Sequence, residues 1–533
     1  MKYLLFLLQL LTLPWFAQAE SVKSFFKDNT TIQIGTESVP APLILKLYAL
    51  NKNKTFYFSK DSTSHDLSQQ LQALQTWIQL VAEEGLPAKF FWSAEDEQTV
   101  NELWSAQRTT ELDIFLAWKS LKIARGFSTG ITSPENISSE IKLKSESMSE
   151  SELKSLVQFL KGAFSAEQMK LQLSPNNAVY KNLVRLYKVL QQKTEPESGP
   201  MPTKILKKGS KNPAAIKFLK ERLSFLGFDA SGSDLVVDTE LANSIKVFQS
   251  AYGLTPDAVV GSKTWTQLST SLDSLKTQVL LNIDRLRWIP TTLESENIWV
   301  NLANQTLTYH LDGNPVMKFL TINGRPDRRT PMMKDSISYA EFNPTWTVPY
   351  SIFIKDKLPA LQKNPNLIYE LKTKVIDDLT GNEVYPDEID WSYVTPENLH
   401  YTLVQTSGAH NALGHVKFPM TNPYSIYLHD TNARQLFSEG QRWLSSGCVR
   451  LQNPFELAEA LLRDPSTWNV QSMTDFTRYG APKSTKVAFK RKVPVYLMYT
   501  TIELTEQGQI VSYLDNYNID ATHFAAIQRL QAQ

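Results

Sequence analysis

Two short runs decide how this chain is read: Ile426-Tyr427-Leu428-His429-Asp430 and, further on, Leu444-Ser445-Ser446-Gly447-Cys448-Val449-Arg450-Leu451. The first is β-branched and aromatic, so Ser425–His429 reads as a strand ending in a histidine. The second holds the only cysteine of the chain. Acyl transfer through sulfur needs a thiolate, and so a neighbour that takes the thiol proton or lowers its pKa; histidine is the usual one. His429 precedes Cys448 by 448 − 429 = 19 residues, room for a loop that returns to the same sheet edge. A tetrahedral oxyanion needs fixed donors, often backbone N–H groups. Gly447 has no Cβ to keep a substrate from the backbone, and Arg450 brings a charge that favours thiolate if it points inward. His410 and His415 are rival bases, since the chain has seven histidines. Their H-x4-H spacing, without an HExxH pattern or a second cysteine, reads as non-metal, and nothing calls for a cofactor.

An unpaired thiol is a liability in an oxidising compartment, and the N-terminus points to one. Met1-Lys2 is followed by an apolar run from Tyr3 to Phe16 and then Ala17-Gln18-Ala19, the small-residue pattern of a cleaved secretory signal over 1–19. The run is short of the roughly 20 residues that span a bilayer. No later stretch is apolar for 18 uninterrupted residues, so no stable transmembrane segment is expected in the mature chain. Its formal charge of +1 leaves no electrostatic footprint for nucleic acid.

At 533 residues, and roughly 150 per domain, three or four units are expected, together a multidomain α+β protein. Residues 20–200 read as a helical scaffold, with apolar stripes over Leu67–Ala82, Leu112–Ile123 and Tyr180–Leu190, and with the Ser/Glu-rich Lys144–Glu152 as a solvated loop. Thr194-Glu195-Pro196-Glu197-Ser198-Gly199-Pro200 marks a boundary. Residues 201–272 read as a small three-helix unit. Gly227 ends its first helix and Asp238 caps its second. From Val279 the pattern turns to strands, giving a β-rich domain over 279–505, interrupted at 350–400 by a polar, partly helical insertion; 506–533 reads as a C-terminal tail. Trp288 and Trp346 read as core.

Two resemblances lie on these residues. Leu219…Arg222-Leu223…Leu226-Gly227-Phe228, Phe248-Gln249, Gly253-Leu254 and Val260-Gly261…Thr264-Trp265…Leu268 resemble the peptidoglycan-binding type-1 module, with Ala258 where glycine is common. Ser445-Ser446-Gly447-Cys448-Val449-Arg450, with Tyr427-Leu428-His429-Asp430-Thr431, resembles the catalytic motif of the L,D-transpeptidases (YkuD type), and of their large periplasmic members in particular. Asn411-Ala412-Leu413-Gly414, Gly324-Arg325-Pro326, Arg285-Leu286-Arg287-Trp288 and Pro494-Val495-Tyr496-Leu497 extend the likeness. Val404-Gln405-Thr406-Ser407-Gly408 departs from it, lacking an Arg and a Pro expected before Asn411.

The resemblance implies a periplasmic enzyme that links third-position diamino acids of peptidoglycan stem peptides. Cys448 would attack a tetrapeptide donor, His429 would act as base, and an amine of a diamino acid acceptor would resolve the thioester. It implies oxyanion or orienting roles for Gly447, Tyr427, Asp430 and Ser446, and substrate positioning by Arg450, Asn411 and Gly414. It also implies inhibition by carbapenems and a capping lid over 350–400 that excludes water. Water or a wall-anchored protein as acceptor, and a non-catalytic wall-binding scaffold, stay open as alternatives.

Overall fold

The computed structural model describes residues 22–26, 29–58, 64–144, 147–196, 202, 204–480 and 483–531. The 1–19 signal and the 197–200 part of the expected boundary lie outside them.

The helical N-terminal region has its own core, from Val22 to Leu173. At its centre the helix Thr109–Thr129 is buried almost all round. Asp113 on that helix is buried, and its carboxylate accepts from Tyr48 Oη and the backbone N–H groups of Phe56, Tyr57 and Phe58. Buried charge is tolerated where such donors compensate it. The segment expected as a loop at Lys144–Glu152 ends in helix, from Glu150. Ser149 and Glu152 form a capping box that starts Glu150–Leu160, two orphan backbone donors satisfied reciprocally.

A second core runs from Ile137 to Ala526. It includes the helix Ala178–Gln192. Ala178–Gln192 packs on Leu272–Arg285. That second helix crosses the expected 279 boundary, because Leu272, Leu275, Val279 and Ile283 form one buried helical stripe. The Arg285–Trp288 run then joins three parts of the chain. Arg285 donates to the Tyr499 carbonyl and Asp520. Arg287 donates to the Glu84 carbonyl and Tyr180 Oη at 2.8 Å each. Trp288 Nε1 donates to the Thr132 carbonyl at 3.1 Å.

The three-helix unit comprises Pro213–Phe225, Thr239–Ala251 and Ser262–Leu268. Asp238 caps the second helix through the Leu241 N–H at 2.9 Å. Arg222 is buried as a staple, Nε donating to the Leu268 carbonyl. Residues 506–533 are expected as a tail, and the described part, 506–531, is folded. Ile510–Ser512 pairs with Ile502–Leu504, and Ile519–Gln531 is a helix that buries Ile519, His523 and Ala526, a spacing of one helical face. Tyr252 Oη donates to the Ile510 carbonyl at 2.8 Å, tying the helical unit to this end.

Nine strands build the main sheet: β1 (Asn297–Asn301), β2 (Thr306–Leu311), β3 (Asn314–Gly324), β4 (Met333–Phe342), β5 (Val416–Phe418), β6 (Leu428–His429), β7 (Trp443–Ser445), β8 (Val449–Leu451) and β9 (Thr485–Met498). Their order is β7-β3-β8-β6-β5-β4-β9-β1-β2, and β2 pairs again with β3, so the ladder closes. Closure leaves few free edges. The insertion is wider than 350–400. Trp346–Thr347 pairs with Tyr401–Gln405, which pairs with Thr373–Asp377, and Val348 to Leu403 enclose a separate small core around Trp391.

Candidate active site

β6 and β8 run parallel with Leu428 opposite Val449 and His429 opposite Arg450. Leu428 and Val449 are buried in the core. Side chains alternate along a strand, so His429 and Arg450 share the other face, with Tyr427 and Cys448 one step back on each strand. Lys417 on β5 lies opposite His429 on its far side. The histidine thus sits between two cations.

His429 is buried, and its Nδ1 bonds the Asp430 carbonyl. A carbonyl only accepts, so the proton is on Nδ1 and the lone pair on Nε2. Asp430 is itself locked: its carboxylate accepts from the His415 N–H at 2.8 Å and from Arg434 at 2.8 and 2.9 Å. Burial, then the Arg450 charge, pulls the His429 pKa down to about 3 against the opposing effect of the Asp430 carbonyl. Cys448 is half-buried and free. Burial pushes its thiol up to about 11, with Tyr427, Lys417 and Arg450 acting the other way. The pair therefore rests as neutral thiol and neutral imidazole. Sγ donates to the Ser425 carbonyl at 3.4 Å, which Ser425 aims from a left-handed conformation, φ 57°.

The Cys448 loop is held from both sides. Ser445 Oγ donates to the Cys448 carbonyl at 2.6 Å and accepts the Gly447 N–H at 3.1 Å. Thr330 Oγ1 donates to the Gly447 carbonyl at 2.7 Å. Gly447 has φ +123°, and a Cβ there would meet Ile426 Cδ1 at 3.1 Å. Ser446 accepts from Arg328 at 3.2 Å, and Arg328 also grips Asp356 of the insertion with two nitrogens. The insertion brings two more groups to the site: Trp346, which bonds Tyr427, and Lys357, 5.9 Å from the Trp346 ring.

Three expectations need correction. Gly447 N–H is already spent on Ser445 Oγ, so as an oxyanion donor it has a competitor; the Cys448 N–H has no protein acceptor among the described residues and is the better placed of the two. Asn411 is not a substrate-positioning group. Its amide donates to the carbonyls of Thr406 and Pro344 at 2.9 and 3.1 Å, and its Oδ1 accepts the Leu413 N–H. Gly414 is there for space: at φ +58° a Cβ would meet the Asp430 carboxylate at 2.3 Å. Both shape the turn that supports Asp430. Arg450 Nε is buried and unpartnered. Lys417, Ser425, Thr330, Arg328, Trp346 and Lys357 escape sequence reading, because strand register or the insertion brings them in. Among the described residues no group of three or more His, Cys, Asp or Glu could hold a metal, and no helix is long and apolar enough to cross a membrane.

The stretch that carries the closed sheet and the Cys/His pair matches a known family. Residues 295–493 match the L,D-transpeptidase catalytic domain, YkuD. Residues 212–268 match a family described, provisionally, as a peptidoglycan-binding domain, and 42–186 match a scaffold domain. Residues 295–493 are thus similar to the catalytic domain of the YkuD-type L,D-transpeptidases, and the match to the peptidoglycan-binding family lies ahead of them. A Haemophilus influenzae protein provisionally assigned as an L,D-transpeptidase is 35% identical over 254 residues, 48% of this chain and 50% of that one. The chain thus spans about half the length of the curated relative it matches. Among solved structures, the Enterococcus faecium L,D-transpeptidase catalytic domain acylated by ertapenem is 13% identical, covering 39% of this chain and 98% of that one, with a TM-score of 0.18. The Xylanimonas cellulosilytica L,D-transpeptidase is 15% identical, covering 57% and 100%, with a TM-score of 0.19.

Proposed function

We propose that this chain is a periplasmic L,D-transpeptidase that joins third-position diamino acids of two peptidoglycan stem peptides through a Cys448 thioester. The observation that carries this reading is the His429 tautomer: Nδ1 is tied to the Asp430 carbonyl, which leaves Nε2 as a base on the face it shares with Cys448. Sγ turns from the Ser425 carbonyl toward Nε2. As the S–C bond forms at the third-residue carbonyl, the thiol proton passes to Nε2, and the oxyanion is met by the Cys448 N–H with Tyr427 Oη beside it. His429 returns that proton to the departing terminal D-Ala amine as the C–N bond breaks. The acceptor amine then attacks the thioester, gives a proton to His429, and the released thiolate is reprotonated. The steps balance with no cofactor.

Arg450 and Lys417 favour thiolate and disfavour imidazolium, so charge builds in the transition state rather than in the resting pair. The lid group Asp356, held by Arg328, closes over the donor and excludes water. The module at 212–268 would hold the enzyme at the wall. A direct test is intact-protein mass after exposure to a carbapenem: one adduct on the wild type and none on Cys448→Ala. An adduct that survives on Cys448→Ala contradicts this assignment.

A further inference from the structure

A cleft of about 660 Å³ opens beside the cysteine loop, with Ser446 at its inner end. It lies on the thiol's doorstep: Tyr424 and Ile426, which line it, flank the Ser425 carbonyl that accepts Sγ–H. Its outer wall comes from the N-terminal half of the chain. The segment around Ile141 is stitched to the catalytic domain by a parallel bridge to Met332. The Lys142 N–H donates to the Met332 carbonyl at 2.8 Å, and the Met332 N–H to the Glu140 carbonyl at 3.2 Å. The scaffold thus reaches the active-site rim.

The charges in this cleft are uneven in a specific way. Arg328 and Asp327 are already paired, Arg328 with Asp356 and Asp327 with Arg325. Lys142, Arg329 and Lys355 have no ion-pair partner among the described residues. Lys142 Nζ sits 4.8 Å from the centre of the Tyr424 ring and donates to the Ser139 carbonyl. The Arg329 guanidinium lies 5.9 Å from the Tyr517 ring, with Nε on the Pro326 carbonyl at 3.0 Å. Both are held in place by contacts that leave their charge uncompensated. Glu140 also lacks an ion-pair partner, and gives one wall the opposite sign. Such a lining suits a ligand with several carboxylates and an ammonium, and the volume suits a few residues of peptide.

We infer that this cleft is the acceptor site, taking an acidic peptide whose carboxylates meet Lys142, Arg329 and Lys355 and whose free amine approaches the thioester past Ser446. The inference rests on the transpeptidase reading and adds to it that the scaffold segment at 138–142 selects the acceptor.

The test separates the two half-reactions on the full mature chain. A stem tetrapeptide serves as donor and a stem tripeptide with a free diamino acid amine as acceptor; thioester formation, cross-linked product and hydrolysed donor are each followed by mass spectrometry. Lys142→Glu and Lys355→Ala are compared with wild type. Thioester formation is expected to stay within about twofold, which also shows the variants to be folded, while the ratio of transfer to hydrolysis falls about tenfold in Lys142→Glu and recovers in Lys142→Arg. An unchanged ratio with normal thioester formation overturns the acceptor site alone. A wild type that forms no thioester overturns the transpeptidase reading, and the acceptor site with it.

Discussion

His429 and Arg450 face each other across two parallel strands, and Lys417 flanks the histidine from the opposite side. With burial, the arrangement keeps the base neutral; the thiol stays protonated through burial alone, against both cations. Removing the Arg450 charge has two consequences of known sign. The imidazolium is no longer repelled, so the His429 pKa rises from about 3. The thiolate loses a favourable charge, so the Cys448 pKa rises further above about 11. Arg450→Gln is therefore expected to slow alkylation of Cys448 by iodoacetamide at every pH below 11. The wild-type alkylation rate is expected to climb with pH toward about 11, with no plateau near neutrality. A plateau near pH 7 would mean a preformed thiolate–imidazolium pair.

The Arg328–Asp356 pair joins the loop after β3 to the insertion and also reaches Ser446. Asp356 is partly exposed, so its net worth to stability is on the order of 0–1 kcal/mol. Asp356→Asn should leave the melting temperature nearly unchanged, yet lower kcat/KM for the donor about tenfold, because an unlatched lid admits water. Steady-state kinetics beside a thermal melt check both halves. A large drop in melting temperature with unaltered kinetics would make the pair purely structural.

Both candidate residues, Cys448 and His429, are legible in sequence because each lies in a contiguous run with a chemistry of its own. The closed sheet is legible only in part, through β-rich stretches, since nothing in Val416–Phe418 says that Lys417 will stand beside His429. That neighbour is chosen by register. The insertion's limits are hidden because its first and last strands, Trp346–Thr347 and Tyr401–Gln405, read as ordinary strands of the main domain. Other misses had a signal in plain view. Ser149-Glu150-Ser151-Glu152 is a capping pattern that reads as a loop when judged by polarity alone. Ile519, His523 and Ala526 fall on one helical face, but the polar residues between them suggest a tail.

That C-terminal helix carries a buried histidine with a testable pH signature. His523 Nε2 lies 3.0 Å from Asp284 and 2.9 Å from Thr132 Oγ1, joining the scaffold, Leu272–Arg285 and the C-terminal helix. Burial lowers the His523 pKa from 6.5 despite Asp284. The unfolded chain then binds a proton that the folded chain refuses, so stability falls as pH drops below 6.5. Asp284, held below 3.8 by His523, Thr132 and the Ile131 N–H in spite of its burial, adds a further loss as pH falls through its folded value. Denaturant melts between pH 8 and 5 should show the first slope in wild type and a flatter one in His523→Gln. Asp284→Ala should cost roughly 1–3 kcal/mol, because it strands buried polar partners. Equal slopes in wild type and His523→Gln would place the titration elsewhere.

Ala258 occupies a left-handed conformation, φ 60°, in the turn that Gln249 holds through the Ala258 N–H at 2.9 Å. This is the position where the module resemblance expects glycine. An L-residue there pays roughly 1–2 kcal/mol, part of which glycine would return as unfolded-state entropy. Ala258→Gly should stabilise the chain by about 0.5–1 kcal/mol, read as a shifted denaturation midpoint with unchanged slope. A destabilised variant would mean that packing of the Ala258 methyl outweighs the backbone cost.

The central claim is that Cys448 and His429 transfer an acyl group between stem peptides. Its most direct test is mass spectrometry of wall fragments after incubating tetrapeptide-rich peptidoglycan with the mature chain, with Cys448→Ala and with His429→Ala. The account predicts dimers linked through two third-position residues with the wild type and none with either variant. Wild-type digests containing only shortened stems would contradict the transferase assignment, and dimers formed by Cys448→Ala would contradict the nucleophile.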